Sequence, residues 1–296
     1  MSTSLEAPPA KFGDYLELTK PRLSLLSVLT ALVGYLSVRP AQSGVRLFFV
    51  LLGTSLAAAG VAALNQWMEQ DTDALMQRTA DRPIPAGKVP DGSAFVLGML
   101  MCIASLFLLF ALVNPLSALF TLLTIITYLG WYTPAKRWST WSTEIGAIAG
   151  AFPPLIGWAA GEGRVSTLGW ILFGVLFFWQ IPHFMAVAWT YRRDYSAVHF
   201  PMLPVRDEAG GRVAAWSFIN TLLLVGVSLL PWWYGLASVW YAGWAALCGA
   251  WFVSRAASFL RRDDRDRAAR RLFLASITYL PLVLIALVVD RLAFAP

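Results

Sequence analysis

Residues 47–83 read LFFVLLGTSLAAAGVAALNQWMEQDTDALMQRTADRP, and this stretch decides the fold class of the chain. Its first part, Leu47–Leu64, has no charged side chain and is long enough to cross a hydrocarbon core of about 30 Å as a helix. Its second part, Asn65–Pro83, consists largely of acids, amides and arginines. This pattern indicates a membrane-spanning helix that ends at a polar, water-facing site.

The composition of the whole chain supports a membrane location. Of its 296 residues, 58% are hydrophobic and only 14% are charged, whereas globular proteins average about 25% charged residues. The net charge of +6 does not indicate a nucleic-acid partner, because the basic residues lie in short loops between apolar runs. Cys102 and Cys248 lie inside apolar runs without a Cys or His nearby, so we expect neither a disulfide nor a zinc site.

The same length criterion, applied along residues 1–296, predicts an all-α polytopic membrane helix bundle that forms a single domain with nine transmembrane helices. The predicted spans are Pro21 to Val38, Leu47 to Leu64, Ala94 to Val113, Leu116 to Tyr132, Glu144 to Ala160, Leu168 to Trp189, Ala214 to Tyr234, Leu236 to Val253 and Leu272 to Val289. The short connections Asn114-Pro115 and Tyr234-Gly235 predict antiparallel hairpins with tight turns.

The distribution of basic residues predicts the orientation. Lysines and arginines concentrate in cytoplasmic loops of membrane proteins. The chain has 23 lysines and arginines, and all but four of them lie in residues 1–19, at the start of the first span or in every second connection between spans. The four exceptions are Arg39, Arg46, Arg164 and Arg291. We therefore expect residues 1–19 in the cytoplasm, without a removable signal peptide, and an external C-terminus. The predominance of arginine favours a bacterial inner membrane.

A first cluster of polar residues follows the second span. Asn65, Glu69 and Asp73 recur every four residues, so they form one stripe if the helix continues past the membrane. Neighbouring carboxylates repel unless a cation lies between them, and Mg²⁺ binds one or two carboxylates together with phosphate oxygens and water. Arg78 and Arg82 follow closely, and guanidinium groups match phosphate oxygens. The array predicts a site for Mg²⁺ and a diphosphate leaving group; the alternative is a solvated loop of paired charges.

A second cluster lies at the end of the sixth span, where residues 179–204 read WQIPHFMAVAWTYRRDYSAVHFPMLP. It contains both histidines of the protein, His183 and His199. A histidine inside a span is a functional candidate, although a helix-packing role is the alternative for His183. Spans two and six run in the same direction, so both clusters should emerge on one face, near Lys136 and Arg137 at the end of span four.

The array from Asn65 to Pro83 resembles the first aspartate-rich motif of the UbiA-type intramembrane prenyltransferases, and nine spans match the size of that family. The resemblance covers nearly the whole chain. DALMQRTADRP at 73–83, YTPAKR at 132–137, WQIPHF at 179–184 and FPMLP at 200–204 are similar to the members that act on haem. Members that act on quinones usually carry aspartate in place of Gln66 and Glu69 and more acids in the second cluster, where this chain keeps only Asp194.

The resemblance implies a UbiA-type fold and transfer of a farnesyl group from farnesyl diphosphate to a vinyl carbon of haem b, with addition of water. It implies that Glu69 and Asp73 hold Mg²⁺ and that Asn65 orients the departing diphosphate, with Asp194 as a further catalytic acid. It also implies a diphosphate site at Arg78, Arg82, Lys136 and Arg137, a haem site at His183 or His199, and prenyl-lining aromatic residues at Tyr128, Trp131, Tyr132 and Trp179.

The partners that follow are haem b, farnesyl diphosphate, the lipid bilayer, and a haem A synthase or components of terminal-oxidase assembly. Two alternatives remain: a prenyltransferase for a quinone or other aromatic precursor, and a non-enzymatic haem carrier. A carrier would not need acids beside arginines. A secondary transporter is disfavoured because its ionisable residues should lie near the bilayer midplane, whereas the acids of the first cluster lie at one interface.

Overall fold

The computed structural model describes residues 10–38, 43–261 and 263–294, and all regular structure in these ranges is helical. Arg39 and residues 1–9 of the predicted cytoplasmic segment therefore lie outside the described residues. The helices are α1 Phe12–Leu18, α2 Pro21–Leu36, α3 Gly44–Asp73, α4 Asp91–Leu112, α5 Pro115–Ile125, a π-helical segment Ile126–Tyr132, α6 Thr133–Ala135, α7 Ser142–Ala151, α8 Pro153–Glu162, α9 Thr167–Thr190, α10 Arg192–Ala197, α11 Leu203–Arg206, α12 Gly211–Trp233, α13 Val239–Leu260 and α14 Arg265–Ala293.

Each predicted span coincides with a helical segment of the described chain. The fourth span combines α5, the π-helical segment and α6, and the fifth is divided between α7 and α8, where Pro153 begins a new helix. Six segments are long and apolar enough to cross a membrane by length and composition: Gly44–Asp73, Asp91–Leu112, Pro115–Ala135, Thr167–Thr190, Gly211–Trp233 and Arg265–Ala293. The described chain is thus an all-helical membrane protein with six candidate spans by this criterion.

The helix that contains the second predicted span extends beyond its apolar run. The run ends at Leu64, and α3 continues to Asp73, which is the condition on which the polar stripe was predicted. A helix is not obliged to end where its apolar run ends, because its backbone hydrogen bonds do not depend on the side chains being apolar. The extension places the polar stripe of the first cluster on α3 itself.

The two predicted hairpins are confirmed. Asn114 caps α5, because its Oδ1 accepts a hydrogen bond of 2.8 Å from the Ser117 amide, and Pro115 occupies the first helical position. Gly235 lies between α12 and α13 with a φ of +67°, a backbone conformation that favours glycine. Both cysteines, Cys102 and Cys248, are buried and free.

A close helix crossing holds α2 against α8. A Cβ on Gly34 would lie 2.0 Å from the Pro154 carbonyl oxygen, and a Cβ on Gly157 would lie 1.8 Å from that of Ala31. Only glycine allows the two backbones to approach this closely, as is common in membrane helix pairs. The main core lies among α9, α12, α13 and α14, around large buried side chains such as Leu172, Phe252 and Tyr279.

Candidate functional site

The polar stripe of α3 is buried within the bundle. Asn65, Glu69 and Asp73 expose 2%, 5% and 0% of their surfaces. Asn65 Nδ2 donates hydrogen bonds to Glu69 Oε2 at 3.0 Å and to Thr133 Oγ1 at 3.2 Å. Buried carboxylates are expensive unless a cation pairs with them, so the basic partners of these acids define the site.

Glu69 is paired with Lys136, which follows directly after α6. Lys136 Nζ lies 2.8 Å from Glu69 Oε1 and 3.1 Å from Oε2. Burial lowers the pKa of Lys136, but the Glu69 carboxylate, together with the Tyr132 and Tyr128 side chains, outweighs burial and raises the pKa above its ordinary value. The ammonium group also lies over the ring of Tyr132, 4.6 Å from its centroid, and the Tyr128 ring meets that of Tyr132 edge to face at 5.0 Å. The π-helical segment carries both tyrosines.

Asp73 forms an ion pair with Arg82 through Oδ2. The loop that carries Arg82 is held to the end of α3, because Thr79 Oγ1 donates a 2.9 Å hydrogen bond to the main-chain oxygen of Asp73. The other carboxylate oxygen, Asp73 Oδ1, is buried and has no hydrogen-bond partner among the described residues. An orphaned buried acceptor of this kind fits a cation or a donor supplied by a ligand.

Lys20 is a member of the site that the sequence interpretation missed. Its Nζ donates to Asn65 Oδ1 at 3.3 Å, and its backbone adopts a left-handed φ of +44° immediately before α2. Burial, and then the positive charges of Arg82 and Lys136, lower the pKa of Lys20 to about 7. Its position is supported by Gln66 Nε2, which donates to the Leu18 carbonyl oxygen at 2.8 Å.

In the sequence, Lys20 contributes only to the charge asymmetry that predicts the orientation of the helices. With Lys20 included, three basic side chains converge on two carboxylates. The third base is therefore not neutralised by the buried acids, which suits a site for an anion.

The two predicted clusters meet through Arg78. Its guanidinium lies 5.0 Å from the ring centroid of Tyr191 and 5.8 Å from that of Tyr195, and Nη2 donates to Tyr195 Oη at 3.3 Å. This contact confirms that both clusters emerge at the same end of the bundle. Asp194 lies on α10, between Tyr191 and Tyr195 in the sequence. It is half-buried, and its carboxylate has no ion pair within the described chain.

Three of the predicted residues lie apart from the buried cluster. Arg137 Nη2 donates to Asp71 Oδ1 at 2.8 Å, and both side chains are exposed. Trp131 exposes 59% of its surface, although it lies in the same π-helical segment as the two tyrosines. His199 is exposed in the turn between α10 and α11.

His183 lies within α9, at its contact with α14. The ring stacks on Trp179 at 4.8 Å and lies tilted against Phe273 at 5.2 Å, and Nδ1 is 2.8 Å from Ser276 Oγ. Trp179 is buried and donates its Nε1–H to the Ser276 carbonyl oxygen at 2.7 Å. Trp179 therefore belongs to this second set of contacts rather than to the surroundings of Lys136.

The two carboxylates of the site suit Mg²⁺ rather than a metal that needs three or more protein ligands. The described residues contain no group of three or more His, Cys, Asp or Glu side chains that could hold a metal ion. Mg²⁺ does not require one, since it takes one or two carboxylates and completes its shell with phosphate oxygens and water. Glu69 and the open oxygen of Asp73 fit that requirement.

Comparisons with known proteins agree with this chemistry. The model of the UbiA prenyltransferase family matches residues 27–277. The chain is 73% identical over 292 residues to a protoheme IX farnesyltransferase of Opitutus terrae, with 99% of each chain covered. It is 40% identical to the protoheme IX farnesyltransferase of Solibacter usitatus, with 94% of this chain and 98% of the relative covered.

Solved structures share the fold. A structure described as that of digeranylgeranylglyceryl phosphate synthase superimposes with a TM-score of 0.80 at 18% identity, covering 94% of this chain and 98% of the other. A UbiA homolog from Archaeoglobus fulgidus, bound to GPP and Mg²⁺, superimposes with a TM-score of 0.70 at 15% identity, covering 93% and 99%. At these identities the likeness shows a common fold.

Proposed function

Because this chain belongs to the UbiA prenyltransferase family, we propose that it transfers a farnesyl group from farnesyl diphosphate to a vinyl carbon of haem b, with addition of water. The observation that carries the proposal is the buried group of Lys20, Arg82 and Lys136 around Glu69 and Asp73. A haem carrier would have no use for such a group. The name of the relative that is 73% identical over nearly the full length supports haem as the acceptor.

The basic side chains would stabilise the leaving group. Arg82 and Lys136 now neutralise the acids, and both would face the oxygens of a diphosphate placed beside the stripe. Fixed charges in a site that excludes water act strongly on a departing anion, because no solvent must reorganise around it. When Mg²⁺ is bound, Glu69 and Asp73 would hold it and it would neutralise part of the diphosphate charge. Asn65, already bonded to Glu69, would orient that carboxylate.

The prenyl chain is assigned to the tyrosines beside Lys136. An allylic carbocation needs π-faces rather than nucleophiles around it, and the rings of Tyr128 and Tyr132 lie next to the ammonium group that would hold the diphosphate. The side chain of Trp131 is exposed, and that of Trp179 is hydrogen-bonded to α14. The assignment of the prenyl chain therefore rests on the two tyrosines.

The reaction balances without a redox partner. The C–O bond to the diphosphate breaks and the diphosphate keeps the electron pair, while the terminal vinyl carbon forms the new C–C bond. Water then adds to the adjacent carbon and loses one proton. We assign the acceptor to the side of the site that carries His183, because this histidine lies within a span, whereas His199 is exposed in a turn.

We further propose nine crossings, formed by the six candidate spans together with α2, the α7–α8 pair and α13. Residues 1–19 would be cytoplasmic and the C-terminus external, in a bacterial inner membrane. The large exposed side chains Phe107 and Trp240 suit contact with lipid. A haem A synthase or an oxidase-assembly component would receive the product.

The direct test uses the full chain in lipid nanodiscs with haem b, farnesyl diphosphate and Mg²⁺. Extracted haems should gain the mass of a farnesyl group plus a hydroxyl group, and the Glu69→Gln protein should give little of this product. A quinone precursor, supplied alone and in competition, distinguishes the alternative. Prenylation of that precursor with unmodified haem would overturn the choice of acceptor.

A further inference from the structure

The hydrogen bond between His183 and Ser276 determines which ring nitrogen of the histidine carries the proton. Ser276 Oγ lies 2.6 Å from the Phe273 carbonyl oxygen and 2.8 Å from His183 Nδ1. A serine hydroxyl has one hydrogen to donate, and the carbonyl oxygen can only accept. The hydroxyl therefore donates to Phe273 and accepts from the histidine, which must carry its proton on Nδ1.

This tautomer leaves Nε2 as an acceptor with a free lone pair. No hydrogen-bond partner of Nε2 is found in the described part of the chain. A neutral imidazole whose Nδ1–H is held by a protein acceptor is the usual arrangement for metal ligation through Nε2. A buried histidine with a purely packing role would be most stable with hydrogen-bond partners at both ring nitrogens.

The ring is also held in a defined plane. Trp179 stacks on it with an interplanar angle of 22°, and Phe273 contacts it at 35°. Trp179 is fixed in turn by its 2.7 Å hydrogen bond to the Ser276 main-chain oxygen. Ser276 thus contributes twice, through its hydroxyl to His183 and through its backbone to Trp179, and only the first contribution depends on its side chain.

The position of His183 on α9 connects it to the diphosphate-binding end. His183 lies eight residues before Tyr191, the residue that follows the end of α9, or about 12 Å from it along a helix axis. Tyr191 contacts Arg78. His183 therefore lies about two helical turns before the residue through which the second cluster contacts the basic residues of the first cluster.

We propose that Ser276 is a positioning residue that holds His183 with Nε2 directed at the iron of a bound planar tetrapyrrole. The identity of that ligand rests on the proposed function. The ligation itself is independent of prenyl transfer, because it requires only haem and the contact between α9 and α14.

The test measures haem binding in the absence of farnesyl diphosphate. Haem b is titrated into the full chain in nanodiscs, and the optical and resonance Raman spectra report the axial ligand. Ser276→Ala should weaken haem binding by about 10-fold or more, as loss of a partner to a metal-bound histidine typically does, and should change the spectrum. Ser276→Thr, which keeps the hydroxyl, should restore both, and His183→Ala should lose the histidine-ligated spectrum.

Thr278→Ala is the matched control. Thr278 lies on the same helix, is exposed, and donates its hydroxyl hydrogen to the Leu274 carbonyl oxygen at 3.1 Å. Its replacement removes an equivalent intrahelical hydrogen bond and should leave the haem spectrum unchanged. Thermal unfolding of every variant separates loss of ligation from loss of the fold, since the bond from Trp179 to the backbone of residue 276 persists in Ser276→Ala.

Wild-type affinity and spectrum in a folded Ser276→Ala protein would overturn the positioning role, and an unchanged spectrum in His183→Ala would overturn ligation as a whole. Either result leaves farnesyl transfer intact. Conversely, a wild-type protein that binds haem through His183 but forms no farnesylated haem would disprove the proposed function and leave this inference standing.

Discussion

Lys136 Nζ and Glu69 Oε1 lie 2.8 Å apart, with 13% and 6% of the two side chains exposed. The neighbouring residues form a second pair, Arg137 with Asp71, at the same distance but with 45% and 61% exposed. Two adjacent basic residues thus pair with two nearby acids, one pair buried and the other exposed to solvent. A buried ion pair gains little net stability, because desolvation offsets the attraction, so its presence at the end of α3 indicates a functional role.

The two pairs provide a matched comparison. Lys136→Gln leaves the Glu69 carboxylate buried without its cation and should cost about 3–5 kcal/mol of stability, together with most farnesyl transfer. Arg137→Gln breaks only an exposed pair and should cost about 1 kcal/mol or less. Thermal unfolding and product mass measure both effects. Equal losses of stability and of farnesyl transfer in the two variants would contradict a functional difference between the buried and the exposed ion pair.

The carboxylates of the stripe should be essential to turnover. Glu69→Gln and Asp73→Asn keep the size of each side chain and remove the charge assigned to Mg²⁺, so turnover should fall by about 10²-fold or more. Asp71→Asn changes an exposed acid on the same helix and should retain activity. Haem spectra should be unchanged in all three. Normal turnover of Glu69→Gln or Asp73→Asn at limiting Mg²⁺ would remove that residue from the metal site.

Lys20 should make the binding of farnesyl diphosphate depend on pH. Its pKa is lowered to about 7 in the folded protein, and a bound diphosphate favours the charged amine. Affinity should therefore fall as pH rises above about 7, with uptake of one proton on binding. Lys20→Arg stays charged and should abolish that part of the pH dependence, which calorimetry in buffers of different ionisation enthalpy can measure. An identical proton uptake in Lys20→Arg would assign the effect to another group.

The same pKa predicts how stability changes with pH. Between about pH 7 and the ordinary lysine value near 10.5, the unfolded chain binds a proton at Lys20 that the folded protein does not. Stability from this group therefore rises with pH across that range and is lost as pH falls through about 7. The free energy of unfolding of the wild type should rise between about pH 7 and 10.5 more steeply than that of Lys20→Met, which lacks the titrating amine.

The tyrosines around Arg78 should affect substrate binding more than chemistry. Tyr191→Leu removes an aromatic face from the guanidinium, a contact of about 0.5–1 kcal/mol, and should raise the KM for farnesyl diphosphate by about 2- to 5-fold. Tyr191→Phe keeps the ring and should behave as wild type. Steady-state kinetics with saturating haem separates KM from kcat. A change confined to kcat would contradict a positioning role for Tyr191.

Fusion reporters test the orientation of the helices. Reporters placed after Lys88, Lys136, Arg212 and Arg265 should be cytoplasmic. A reporter after Pro296, which lies outside the described residues, should be external. A cytoplasmic reporter at the end of the chain would require an even number of crossings.

The stripe on α3 was predictable because it depends on local geometry. The spacing of Asn65, Glu69 and Asp73 places them on one helix face whatever the helix packs against. Lys20 could not be predicted in the same way, since its contact with Asn65 joins residues 45 positions apart. Sequence alone also could not separate Lys136 from Arg137, because adjacent residues of the same charge differ only in the direction they take from the end of α6.

The amino-acid sequence by itself determined the helical membrane class, the approximate bounds of the apolar helical segments, the family, and the end of the bundle where the polar residues gather. These properties follow from apolar length, residue spacing and charge asymmetry along the chain, which do not depend on how the helices pack. Only the tertiary structure decided which charges are buried together, that Lys20 joins them, and that Ser276 holds His183. Burial and hydrogen bonding between α2, α3, α9 and α14 arise when the helices pack, and a pattern along one chain does not contain those distances.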